Sequence, residues 1–121
     1  MALILLVDDS MFSRKMTARM LAKAGHEVFE AENGLMGLKA LMTKSPDCIV
    51  TDILMPEMDG QKFFITLRAR GVKVPVVFLT ADVQAKTRSF YLELGAVDVL
   101  NKPPSEDILL TVVEKALGEK I

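Results

Sequence analysis

The chain has 121 residues, half of them hydrophobic, with 15 basic and 16 acidic side chains and a net charge of −1. That length suits one domain with a core of its own, and the even charge leaves no broad basic face for nucleic acid or an anionic membrane. Cys48 is the only cysteine, which excludes an intrachain disulfide. The apolar opening run, Met1–Val7, is too short for a membrane span and lacks the flanks of a leader.

In chain order, the first predicted element is a strand over Leu3–Val7, followed by Asp8-Asp9-Ser10 and a helical stretch ending at Gly25. The next strand, Val28–Ala31, lies in the run from His26, which alternates with polar residues and leaves His26 reading as an exposed surface residue. The third strand, Cys48–Thr51, is apolar, so Cys48 reads as a reduced, buried thiol. Asp52 follows it, then a loop shaped by Pro56 and Asp59-Gly60 that leads into a helix around Phe63, Phe64 and Leu67 and ends at Gly71.

The fourth strand lies in the run Val74–Leu79 and is followed by Thr80. Val83, Thr87, Phe90, Tyr91 and Leu94 then recur at helical spacing as one apolar face before Gly95. A fifth strand, Val97–Leu100, carries a charge at Asp98 and runs into Lys102. Ser105 is placed to cap the last helix, with Glu106 and Asp107 at the positive end of its dipole. Ile108, Leu109, Val112, Val113, Ala116 and Leu117 form its apolar face, and Gly118 follows. Met16, Met20 and Met42 fall on helical stretches and read as core fillers.

Strands alternating with helices predict an α/β domain over residues 1–121, a five-stranded parallel sheet joined by right-handed crossovers and flanked by five helices. The first, third and fourth strands are apolar throughout, as central strands must be, whereas the second and fifth are broken by polar residues and suit the edges. The doubly wound order 2-1-3-4-5 meets this pattern, and such sheets bind ligands beyond the carboxyl ends of their strands.

That order gathers Asp8, Asp9, Asp52, Thr80 and Lys102 on one rim. Clustered carboxylates repel one another in a partly dry cleft, and a hard divalent cation and the Lys102 ammonium would offset the repulsion. Magnesium suits the oxygen ligands, with manganese as the alternative. Asp52 then serves as a carboxylate nucleophile that forms an acyl phosphate. Asp9 and Asp52 hold the metal, with Asp8 contributing directly or through water, while Thr80 and Lys102 bind phosphoryl oxygens.

Five segments in order carry a family resemblance: Val7-Asp8-Asp9-Ser10, Thr51 to Gly60, Leu79-Thr80-Ala81, Leu94-Gly95-Ala96 and Asn101-Lys102-Pro103. Over its whole length the chain resembles the receiver domains of two-component response regulators, above all the single-domain CheY-like ones of chemotaxis. The resemblance implies phosphoryl transfer to Asp52 from a phosphohistidine on a sensor histidine kinase, and slow self-catalysed hydrolysis that resets the switch. It implies magnesium held by Asp8, Asp9, Asp52 and the backbone carbonyl of Leu54, and a cis bond before Pro103. Such a protein catalyses only its own phosphorylation and dephosphorylation and is not an enzyme in the ordinary sense.

Many receivers carry Tyr or Phe where Val99 stands, so the aromatic part of the usual switch is missing here. The expected readout is a shift of the fourth helix that alters the surface around Val83–Leu94 and Val99. Leu54 and Asp82, two residues beyond Asp52 and Thr80, are expected to tune the acyl phosphate lifetime, Leu54 by limiting water and Asp82 by its charge.

Other expectations are a cytoplasmic location, a downstream target protein, a phosphatase as a further partner, and a monomer or weak dimer with no membrane insertion. The alternatives are a receiver-like docking module that is never phosphorylated, or the receiver fragment of a longer regulator. An FMN-binding relative of the flavodoxins is disfavoured because Asp8-Asp9 would repel the phosphate. An aspartyl phosphatase would carry a second aspartate where Leu54 stands.

Overall fold

The computed structural model describes residues 1–81 and 84–118. Its elements run β1 (Leu3–Val7), α1 (Met11–Lys23), β2 (Glu27–Ala31), α2 (Gly34–Ala40), β3 (Cys48–Asp52), α3 (Gly60–Ala69), β4 (Val76–Thr80), α4 (Ala85–Leu94), β5 (Asp98–Asn101) and α5 (Glu106–Gly118). The strands form one sheet in the order β2-β1-β3-β4-β5, and every neighbouring pair is parallel. This is the order expected from strand composition, with the two polar-interrupted strands at the edges.

The pleat sorts each central strand between two cores. Leu5, Ile49, Val76 and Phe78 face one core, which also takes Leu38 of α2, Phe63, Phe64 and Leu67 of α3, and Tyr91 of α4. Ile4, Leu6, Cys48, Val50, Val77 and Leu79 face the other, with Leu21 of α1 and Leu109, Val113 and Ala116 of α5. Strands β3 and β4 are buried along their whole length. Because both cores grip the same three central strands, the carboxyl ends of those strands are rigidly held.

The helices begin as their sequences direct. Ser10, Asn33 and Asp59 accept the backbone N–H of Ser13, Met36 and Lys62 as N-caps of α1, α2 and α3, and Ser105 accepts that of Ile108 at 3.3 Å. Gly95 closes α4 at φ 117°, a left-handed conformation that costs a side-chain-bearing residue more. Gly118 instead is the last residue of α5 itself.

Several sequence expectations are corrected. His26 is buried, not exposed: its side chain lies under the start of β1, where Nδ1 accepts the Ala2 N–H at 3.2 Å. Met42 lies beyond α2 and is 84% exposed, so it fills no core gap. Phe90 and Ile108 share the helical period of their buried neighbours yet are 44% and 55% exposed, because each sits at the margin of its helix's buried face. β5 runs one residue later than predicted, and its charge is accommodated because Arg88 pairs with Asp98 at 2.8 Å. Val99 is 3% exposed and belongs to the core. Asp82 and Val83 lie outside the described residues.

Cys48 is buried, as read from its apolar run, and burial, aided by the Asp47 charge, pushes its thiol up to about 12. The folded protein is therefore expected to resist iodoacetamide at mildly alkaline pH, and urea should expose one reactive thiol. Mass spectrometry of the native and unfolded protein checks this; rapid native labelling would contradict the burial.

Candidate functional site

The rim formed by the ends of β1, β3, β4 and β5 carries the predicted constellation. Asp8 follows β1 directly, Asp52 ends β3, Thr80 ends β4, and Lys102 follows β5. One carboxylate oxygen each from Asp8, Asp9 and Asp52 lies within 4.8 Å of the other two. Asp8 is fully buried and Asp52 nearly so, whereas Asp9 opens to solvent. The Lys102 ammonium spans the two buried acids, 2.8 Å from Asp8 Oδ1 and 2.6 Å from Asp52 Oδ2. The Lys102-Pro103 bond is cis.

Each acid is oriented from the backbone. The Ser10 N–H donates to Asp8 Oδ1 at 2.9 Å, and the Ile53 N–H to Asp52 Oδ1 at 2.8 Å. Neither Asp8 nor Asp9 caps α1, since Ser10 takes that role. Asp8 Oδ2 is buried without a hydrogen-bond partner among the described residues. A buried carboxylate oxygen left this way is costly unless a cation or water meets it.

The electrostatics agree. Burial lifts the Asp52 carboxyl above its ordinary range, the Asp8 charge adds to this, and the Lys102 hydrogen bond and charge oppose it. For Lys102, burial disfavours the ammonium, but its bonds to Asp52 and Asp8 outweigh that and raise its pKa. One ammonium among three carboxylates leaves the cluster short of positive charge. A small, hard cation on oxygen ligands fits that deficit.

The remaining predicted residues flank the cluster. Leu54 lies two residues past Asp52 and is 71% exposed. Thr80 is buried at the end of β4, where its carbonyl accepts the Lys102 N–H at 2.8 Å. Sequence reading missed the frame behind Asp8: Arg14 donates to the Asp8 carbonyl at 2.7 Å and to Glu30 at 3.0 Å. The only signal for it is that Arg14 stands one helical turn beyond the Ser10 cap. A cleft of about 500 Å³ is lined by Arg14 and Lys15 of α1, Glu30 of β2 and Met36 and Lys39 of α2, and Asp52 does not line it.

A family model described as the response regulator receiver domain matches residues 4–114. The chain belongs to that family. This receiver is 35% identical over 120 residues to Protein PilH of Pseudomonas aeruginosa, with 98% of this chain and 99% of PilH covered. It is 37% identical over 123 residues to a protein-glutamate methylesterase/protein-glutamine glutaminase of Treponema denticola, covering 98% of this chain but spanning only 33% of that protein. Among solved structures, the receiver domain of the Francisella response regulator 1452 superposes with a TM-score of 0.93 at 26% identity, covering all of both chains. The expected fold class and family therefore hold, and the receiver functions in two-component signalling. No described helix is long and apolar enough to cross a membrane.

Proposed function

We propose that this receiver is a phosphorylation switch in which Asp52 accepts a phosphoryl group from the phosphohistidine of a sensor histidine kinase. The observation that carries the reading is the cluster of Asp8, Asp9 and Asp52 oxygens, spanned by Lys102, with Asp8 Oδ2 left unpartnered among the described residues. Receiver domains as a family take phosphate from such kinases.

Asp8, Asp9 and Asp52, with the Leu54 carbonyl, would hold magnesium, or manganese in its place. The ion when bound supplies charge neutralisation for the phosphoryl oxygens. The chain's own residues do the rest. Asp52 Oδ1 is fixed by the Ile53 N–H, which leaves Oδ2, now on Lys102, as the oxygen turned toward the rim. Attack by a carboxylate oxygen on phosphorus forms the acyl phosphate and releases the donor imidazole. Lys102 then moves its hydrogen bond from carboxylate to phosphoryl oxygen while Asp8 still anchors it, and Thr80 donates its hydroxyl to another. Leu54 stands exposed beside Asp52 and limits the approach of hydrolytic water. Asp82 is assigned a charge effect on the same step.

Incubation with acetyl phosphate and magnesium is expected to add one phosphoryl mass that hydroxylamine removes, as an acyl phosphate requires. No added mass, or a hydroxylamine-stable one, would refute the reading. Omitting the metal should suppress the gain.

A further inference from the structure

We propose that Arg14 and Glu30 form a positioning clamp that sets the metal affinity of the site by holding the backbone of Asp8. The inference rests on the phosphoryl-switch reading above and concerns residues that touch neither phosphate nor metal.

Asp8 is gripped from both sides by β2 and α1. Its N–H donates to the Ala31 carbonyl at 3.1 Å, so the last residue of β2 fixes one peptide plane. Its carbonyl accepts Arg14 Nη1 at 2.7 Å, and the same guanidinium donates from Nε to Glu30 Oε1 at 3.0 Å. Lys15 holds the other Glu30 oxygen at 3.1 Å. The Arg14 side chain is only 12% exposed, so this is a packed bridge and not a surface pair. Arginine suits the task because its rigid fork can serve a carbonyl and a carboxylate at once, which a lysine point charge does less well.

With its main chain pinned, Asp8 can present Oδ1 to Lys102 and the Ser10 N–H while Oδ2 stays buried and unpaired. Releasing the carbonyl lets the peptide planes rotate, and Oδ2 can then turn to water. Groups behind metal ligands commonly change affinity by about 10- to 100-fold when lost.

The sign of the effect separates positioning from plain electrostatics. Arg14 is a cation near a cation site, so its charge alone weakens metal binding, and removing it would tighten binding. Positioning predicts the reverse. It also predicts that Arg14→Lys, which keeps the charge and loses the fork, behaves like Arg14→Met.

The experiment measures manganese uptake by loss of the free-ion electron paramagnetic resonance signal, with circular dichroism melts to confirm folding. Arg14→Met and Arg14→Lys should each weaken binding about tenfold, and Glu30→Ala, which leaves Arg14 unbraced, by less. Acetyl phosphate labelling should need correspondingly more magnesium in these variants. Unchanged or tighter manganese binding in folded Arg14→Met would overturn the clamp, as would wild-type affinity in Arg14→Lys. If Arg14→Met fails to fold, Arg14→Lys decides the matter alone, because removing the Glu30 anion weakens cation binding by charge as well. A wild-type protein that takes up no manganese would sink the metal reading itself, and the clamp with it.

Discussion

Asp52→Asn is expected to abolish phosphoryl uptake from acetyl phosphate while leaving the protein at least as stable as before. An amide offers no anionic oxygen to attack phosphorus, so no acyl phosphate forms and the added mass disappears entirely. The geometry should survive, because the amide oxygen can keep the Ile53 N–H, now 2.8 Å from Asp52 Oδ1. Lys102 keeps Asp8 at 2.8 Å. Stability should not fall because burial, above all, already disfavours the Asp52 charge, and Asp8 adds repulsion.

The sign fixes a pH dependence. A carboxyl whose folded pKa is raised contributes stability when protonated and loses that contribution as pH rises through its folded pKa. The advantage of Asp52→Asn in thermal melts with chelator should therefore be full at neutral pH, shrink as pH falls through the raised folded pKa, and be gone by about pH 4, the ordinary carboxylate value. Phosphoryl uptake by Asp52→Asn would remove Asp52 as acceptor. A large loss of stability at neutral pH would mean that its bond to Lys102 outweighs burial.

Gly60→Ala is expected to be the most damaging single-methyl change near the site. A Cβ at Gly60 would stand 2.6 Å from the Asp52 carbonyl oxygen and 2.9 Å from Ile53 Cα, both main-chain atoms that cannot swing aside. The Gly60 N–H also donates to the Ile53 carbonyl at 2.7 Å, so the start of α3 cannot back away without breaking that bond. Overpacking of this kind costs about 3 kcal/mol, and in a chain of this size that lowers the melting temperature by roughly 10 °C. Because the clash falls on the peptide that carries Asp52, phosphorylation should slow as well. A melting temperature matching the wild type would show that α3 and β3 can separate more freely than this contact implies.

How far the sequence carries depends on whether a property is local. Strand order was legible because β1, β3 and β4 are apolar on both faces, while Glu27 and Glu30 mark β2, and Asp98 marks β5, as edges. The acid cluster was legible because each member follows an apolar run directly, and a parallel sheet brings those ends together. The helix start at Ser105 was legible because its side chain bonds to backbone within three residues; Ser10, Asn33 and Asp59 do the same but were not read as caps.

Exposure at the margins was not legible. Phe90 and Tyr91 are chain neighbours on one helix, yet Tyr91 packs on Phe78 with ring centroids 4.6 Å apart while Phe90 meets only its edge-on neighbour among the paired rings. Helical period gives the direction of a side chain but not how far the neighbouring surface extends. His26 shows the same limit, since its ring accepts a hydrogen bond from Ala2, 24 residues away in the chain.

Strand identity, sheet order and the acids at the rim were thus determined by the sequence itself, because hydrophobic pattern and chain connectivity act locally. Only the tertiary structure decided that Lys102 bonds Asp8 and Asp52 together, that Gly60 must lack a side chain, and that Arg14 braces Asp8 against Glu30. Lys102 lies 94 and 50 residues from its two partners, and Arg14 and Gly60 meet Asp8 and Asp52 only because the chain folds back at the strand ends. Composition carries no record of such distances until the two cores have packed and fixed the strand ends.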